Sequence, residues 1–277
     1  MSGMSDMSAS PEMIRTVWND IDAVRKQGPM VVNVTNYVVT NNTANALLAL
    51  GASPAMNHVA EDLPGLMDLA QALVINLGTL APEYVEGMRV AMDIAVKQNK
   101  PIALDPVAAG VNDLRTGLAR EFLEKYRPAI LRGNASEIMA VAGEQGRPKG
   151  VDSLNSVEEA GEAARVLSRK HGCAVVVSGE VDLVVYGNRE ARLAGGSDMM
   201  PRVTGLGCTC TALAGAMAAV QPDPFLAAVD TAAVMDIAGE MAAEASPGPG
   251  SLQLHLYNAL YLMEEKDVAQ RLKVELA

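Results

Sequence analysis

Apolar residues in this chain cluster into short continuous runs, with longer amphipathic stretches between them. Runs at 30–34, 72–76, 102–104, 129–131 and 173–177 are rich in Val, Ile and Leu and hold almost no polar residue before their last position. Continuous runs of this length suit strands buried on both faces of a parallel sheet. The stretches between them carry helix signals. Ser10 stands before Pro11 as a start, and Gly28 as a stop. A second helix covers 41–50 and ends at Gly51, a third covers 82–98, another follows Asn134, and a small-residue helix covers 212–220. Two more helices follow, set apart by breaks at 221–224 and 246–250, while 181–186 and 191–193 read as a short antiparallel continuation. Repeated strand-then-helix units with short loops predict an α/β fold of three layers, α/β/α, around a central, mainly parallel sheet. Residues 10–277 are expected to form one domain and residues 1–9 a disordered tail.

In such a sheet, ligands bind beyond the carboxyl ends of the strands. Polar groups stand there after three runs: Asp105 after one, Arg132 and Asn134 after another, Ser178 after a third. Composition narrows what those groups can serve. Aromatic residues make up 3% and the formal net charge is −11, which argues against a base-stacking nucleic-acid binder or a protein held on anionic membranes. No apolar stretch approaches the ~20 residues of a membrane span. The first residues, MSGMSDMSAS, lack the basic start and apolar run of a secretory signal. Three cysteines, Cys173, Cys208 and Cys210, without metal-ligand or C-x-x-C spacing, point to reduced thiols and a cytoplasmic location.

The segment Thr-Gly-Leu-Gly-Cys-Thr-Cys-Thr at 204–211 leads into the small-residue helix. Two glycines allow close backbone approach to a ligand, and free N–H groups at a helix start make an anion hole aided by the helix dipole. It is neither a P-loop nor a full G-x-G-x-x-G, and alone it is equally a tight turn for helix packing. Glu137, in the first turn of a helix, is a candidate metal ligand and equally a helix cap. Asp105, before Pro106, is a candidate metal ligand and equally a turn residue. Arg132 can fork two phosphate oxygens or serve an ordinary ion pair.

Taken together in their order, these segments resemble hydroxyethylthiazole kinases of the ribokinase-like superfamily. The resemblance rests on Gly205-Leu206-Gly207-Cys208, on Asn134 to Glu137 as an N-x-x-E motif within the run at 130–139, and on Thr35-Asn36 followed by Thr43-Ala44-Asn45-Ala46-Leu47-Leu48-Ala49-Leu50-Gly51-Ala52-Ser53-Pro54-Ala55-Met56. It spans about residues 12–262 and leaves the last dozen outside. It implies ATP-dependent phosphorylation of the hydroxyl of 4-methyl-5-(2-hydroxyethyl)thiazole, with Mg²⁺ as cofactor. By the same resemblance, Cys208 stands where the wider superfamily has a catalytic acid. Arg132, Ser178 and Asn134 bind ATP, and Ser178 fills a position usually held by Thr. Met56, Asn36 and Gly205 lie against the substrate, and Asp105 and Glu137 hold the metal. A homotrimer is implied too. A thiol at a helix start, as Cys208 is, can have a lowered pKa and act as a weak base, though phosphoryl transfer asks little of one. Cys173 and Cys210 are expected to be buried and inert. The nearest other readings are a hydroxymethylpyrimidine (phosphate) kinase, which needs an extra anion site, and a nucleotide-binding protein without catalysis. A dehydrogenase is disfavoured because no G-x-G-x-x-G follows Val34.

Overall fold

The computed structural model describes residues 7–143 and 157–277, so the first six residues of the expected tail lie outside it. Helix α1 (Pro11–Gln27) begins with Met13 N–H donating to Ser10 Oγ at 3.2 Å and ends at Gly28 in the left-handed region, φ 55°. There follow β1 (Met30–Val34), α2 (Thr40–Leu50), β2 (Ser53–Met56), α3 (Leu63–Leu69), β3 (Ala72–Asn76), α4 (Pro82–Lys97), β4 (Ile102–Asp105), α5 (Asp113–Tyr126), β5 (Ile130–Asn134), α6 (Ala135–Ala142), α7 (Val157–His171) and β6 (Ala174–Ser178). The chain then runs through β7 (Val181–Tyr186), β8 (Arg189–Ala194), α8 (Leu206–Val220), α9 (Pro224–Glu244), α10 (Pro249–Leu262), α11 (Glu265–Arg271) and β9 (Val274–Leu276).

The sheet has the order β2-β1-β3-β4-β5-β6-β7-β8-β9. The first six of these strands pair in parallel, and the last three join antiparallel. Alternate residues of the inner strands feed two cores. Val31, Val74, Ala103, Ile130 and Val176 pack against α1, α2, α8, α9, α10 and α11. Val32, Leu73, Ile75, Leu104, Leu131 and Val175 pack against α3 to α7. This is the expected three-layer α/β/α architecture. Burial on both faces explains why the strand runs are apolar without alternation.

Two sequence expectations shift. The helix expected from 212 starts at Leu206, so Gly207, Cys208 and Thr211 are already helical. Small residues and Thr pack against the sheet there, and tertiary contact overrides their weak helix propensity. Arg132 and Asn134 belong to β5 itself rather than to a loop after it. The last residues are also integral: α11 packs on α1, and β9 pairs with β8 at the sheet edge.

Candidate active site

Polar side chains gather where the parallel strands end on the α8 side. Val74, Ala103 and Ile130 face that layer, so Asn76, Asp105 and Arg132, each two positions on, face it too. Asn76 and Asp105 are partners in register, and Asn134 lies opposite Ser178. The first turn of α8 sits over this row. Its N-cap, Gly205, has φ 84°, and a Cβ there would lie 2.5 Å from Val39 Cγ1, so only glycine fits. A Cβ on Gly207 would lie 2.5 Å from Arg132 Nη1. The guanidinium thus rests directly on the helix backbone, beside the N–H groups that no preceding turn can satisfy.

Arg132 Nη2 donates to Ser178 Oγ at 2.6 Å, and Ser178 Oγ donates to Gly133 O at 3.3 Å. Arg132 Nε is buried without a partner. Asp182 orders the turn after β6 by accepting from Gly179 N at 2.9 Å. Asp105 is buried, and its Oδ2 accepts from Asn76 Nδ2 and Thr211 Oγ1, both at 2.9 Å. Burial pushes its carboxyl up to about 7. The charge of Arg132 and the two hydrogen bonds pull the other way, while Glu137 adds to the rise.

Glu137 does what a helix cap does, and more. Its Oε2 accepts from Asn134 N at 2.9 Å, while Asn134 Oδ1 accepts from Glu137 N at 3.0 Å, a complete capping box. Its Oε1 accepts from Ala108 N at 2.8 Å, which fixes the loop after β4 where Ala108 has φ 58°. Each oxygen keeps a further lone pair. Asn134, expected at the nucleotide, therefore spends its carbonyl oxygen on the cap.

On the other side of α8, Asn36 Nδ2 donates to Asn76 Oδ1 at 2.8 Å and lies 3.7 Å from Cys208 Sγ, and Asn36 Oδ1 accepts from Val38 N at 3.1 Å. Met56 ends β2, half-buried, opposite Asn33 in register. The Cys208 thiol departs from expectation. Burial, and then the charge of Asp105, push it up to about 12 despite hydrogen bonds from Asn76 and Asn36 and the nearby Arg132. It is a neutral thiol at physiological pH, because loss of hydration outweighs the helix terminus. Cys173 and Cys210 are buried and pushed up to about 12 by that burial, as inert core thiols should be.

Asn36, Gly205, Cys208, Asp105, Arg132, Asn134, Glu137 and Ser178 thus converge around the start of α8, with Met56 at the end of the edge strand. Sequence reasoning missed Asn76, Thr211 and Arg115. Asn76 carried a readable signal, since it is the polar last residue of an apolar run, just as Asp105 is near the next. Arg115 joins two loops of the site through bonds to Leu77 O at 2.5 Å and Val107 O at 3.1 Å, and nothing in its local sequence marks it.

Comparison with known proteins places these residues in context. The model of the hydroxyethylthiazole kinase family matches residues 21–266. A hydroxyethylthiazole kinase of Nitratidesulfovibrio vulgaris (strain DSM 19637 / Miyazaki F) is 49% identical over 258 residues, covering 93% of this chain and 97% of that protein. One of Vibrio atlanticus (strain LGP32) is 51% identical over 253 residues, covering 91% and 96%. Among solved structures, hydroxyethylthiazole kinase from Pyrococcus horikoshii OT3 superposes with a TM-score of 0.88 at 39% identity, covering 95% of this chain and 99% of that one. Pyridoxal kinase from Staphylococcus aureus, in complex with AMP-PCP and pyridoxal, shares the fold at a TM-score of 0.65 and 17% identity, covering 90% and 98%.

Proposed function

The chain belongs to the hydroxyethylthiazole kinase family, and from that membership we propose how its own residues divide the work of moving a phosphoryl group from ATP to the hydroxyl of hydroxyethylthiazole. The protein is an ATP-dependent kinase of thiamine salvage with a ribokinase-like fold. One observation carries the residue assignment: Arg132 lies against Gly207 at the start of α8, with its Nε buried and unpartnered. A permanent cation and several main-chain N–H groups converge there, with the charges of Asp105, Asp182 and Glu137 near the guanidinium. That is a place for phosphate oxygens.

In this assignment the N–H groups from Gly205 to Cys208 hold the transferred phosphoryl group, and Arg132, steadied by Ser178, binds the oxygens of ATP. Asn134 lies beside them through its free amide protons. Cys208 faces the acceptor hydroxyl as a neutral thiol, so its task is to place that hydroxyl rather than to strip its proton. The chemistry permits this, because phosphoryl transfer passes through a loose transition state that asks little of a base and much of positioning and charge. Met56 and Asn36 border the thiazole on the same side, where a polarisable thioether suits a sulfur heterocycle.

The carboxylates of Asp105 and Glu137 fit a divalent ion. Burial, and then the charge of Glu137, raise the cost of ionising Asp105, and a bound cation would relieve it. Mg²⁺ is typically held by one or two carboxylates together with waters and phosphate oxygens, which two carboxylates can serve. When bound, the ion supplies neutralisation of charge on the β- and γ-phosphates.

We also assign residues 10–277 to a single domain, supported by the one sheet that spans β1 to β9. The assembly is taken as a homotrimer. Supporting this, Tyr37 and Val38, which directly follow Asn36, are 73% and 57% exposed and leave apolar surface beside the acceptor side. A cytoplasmic location accords with the reduced thiols, and no described helix is long and apolar enough to cross a membrane. A coupled ADP-release assay with MgATP tests the function directly. Turnover is expected with the thiazole alcohol and not with hydroxymethylpyrimidine phosphate. ATP binding without ADP release in the presence of the alcohol defeats the proposal.

A further inference from the structure

Asn76 is buried between the two sides of the site, and besides reaching Cys208 itself its amide is hydrogen-bonded on both sides. Its Oδ1 accepts from Asn36 Nδ2 at 2.8 Å and from Gly78 N at 2.9 Å, and its Nδ2 donates to Asp105 Oδ2 at 2.9 Å. These partners leave no choice of orientation. A main-chain N–H only donates, so the amide oxygen must face Gly78 and the amide nitrogen is left for Asp105. The direction then passes on. Facing an acceptor, Asn36 must turn its own Nδ2 toward Asn76, which places the same nitrogen 3.7 Å from Cys208 Sγ and leaves its oxygen for Val38 N. A donor therefore points at the sulfur of Cys208, and the thiol's own proton is turned away from Asn36.

We propose that Asn76 is a positioning residue that aligns the acceptor side of the site with the carboxylate side, by fixing the direction of the hydrogen-bond chain Cys208–Asn36–Asn76–Asp105. The proposal rests on the kinase reading for its effect on turnover, but the chain itself is a matter of geometry. An error of about 1 Å at a reacting atom can cost a hundredfold in rate, so a residue that touches neither substrate can still set kcat. Buried polar chains act as units, and deleting one member leaves the others unpaired.

The test uses the full chain with Asn76→Ala, Asn36→Ala, the double variant and Asn76→Ser. Three quantities are measured for each: kcat and KM for both substrates, melting temperature, and the rate at which iodoacetamide alkylates Cys208, located by peptide mass. Cys173 and Cys210 are buried and serve as internal controls. Asn76→Ala is expected to lower kcat about 10- to 100-fold with KM for ATP changed less than about threefold. It should also slow alkylation about threefold or more, since a donor to the thiolate is lost. The double variant is expected to fall within about threefold of the worse single one, because both break one chain. Asn76→Ser, which retains a hydroxyl for Asp105, should lie between wild type and Ala, and it serves where Ala does not fold. Alkylation as fast as in wild type, or losses of kcat that multiply in the double variant or merely follow the folded fraction, overturn the proposal. The two levels separate cleanly. A wild type that does not turn over the alcohol, with alkylation still slowed in Asn76→Ala, sinks the kinase reading alone. A working wild type whose kcat and alkylation both survive Asn76→Ala sinks the relay alone.

Discussion

Replacing Gly207 by Ala should separate stability from catalysis in this protein. The new Cβ would lie 2.5 Å from Arg132 Nη1 and 3.3 Å from both Cζ and Nη2, whereas ordinary contact begins at 3.4 Å. The guanidinium must therefore withdraw by about 0.9 Å at Nη1. It has a flexible stem and can do so without moving backbone, but it starts from a 2.6 Å bond to Ser178 that the withdrawal strains or breaks. For folding the accounts nearly cancel. Ala is favoured over Gly in a helix by up to about 1 kcal/mol, and the weakened hydrogen bond costs about the same. For catalysis they do not cancel. A hydrogen bond to a charged group is worth about 1.5–3 kcal/mol, and losing it at the phosphates lowers kcat/KM for ATP by about 10- to 150-fold.

The assay is coupled ADP release with ATP varied at saturating alcohol, alongside a thermal melt of the same preparation. An unchanged melt with a large fall in kcat/KM for ATP is expected. Combining Gly207→Ala with Arg132→Ala should add little to the loss from Arg132→Ala alone, because both act on one contact. Full activity in Gly207→Ala would mean that Arg132 does not reach the nucleotide from its place beside α8, and the assignment of the phosphate site would fail with it.

Glu137→Ala should raise the Mg²⁺ concentration needed for half-maximal turnover by about tenfold, and should also cost about 1–2 kcal/mol of stability, since it removes a capping box and orphans Ala108 N. Metal dependence that stays put while melting temperature and activity fall together would leave Glu137 a cap and nothing else. Cys208→Asp should keep turnover within about tenfold of wild type, because the position asks for placement more than for a base; a well-folded but inactive variant would count against Cys208 facing the hydroxyl. The last concerns pH and lies far from the site. Asp230 is fully buried, and burial, then its hydrogen bond with Asp20 and the charges of Asp20 and Asp223, raise its pKa well above the usual carboxylate range. The unfolded chain ionises this group near ~4 while the native state holds it protonated, so its penalty is absent below that pH and grows by up to about 1.4 kcal/mol per unit as pH rises toward the native pKa. Asp230→Asn should therefore melt progressively higher than wild type between pH 5 and pH 8, and a pH-independent difference in melting temperature would refute this.

Much of this was legible beforehand, for identifiable reasons. Strands buried on both faces announce themselves as apolar runs, and α1 carries a start and a stop in Ser10, Pro11 and Gly28 that depend on local chemistry alone. The start of α8 was not legible. Leu206 to Thr211 is poor in strong helix formers, and the helix reaches back to Gly205 because its small side chains fit against the strand ends. The direction of the Cys208 shift was misjudged for a related reason. A helix terminus is visible in sequence, whereas burial beneath a folded site is not, and burial has the larger effect. β2 and β9 are short edge strands, one with Pro54 in it, and strands of that kind carry little pattern of their own.

A neutral thiol at position 208 suits the charge already present in the site. The pocket floor already contains one carboxylate, Asp105, that burial and Glu137 bring close to neutrality. A second acid at position 208, on the same buried side of α8, would have to ionise against Asp105 in a setting that lifts even a thiol to about 12. Burial there would raise the cost of ionising such an acid and take back part of its advantage as a base. A neutral Cys208 adds no further negative charge to those of Asp105, Asp182 and Glu137 that already act on Arg132, and so keeps more of the cationic face for the phosphates. In a reaction governed by where negative charge gathers rather than by where a proton goes, sparing that face matters more than a stronger base would.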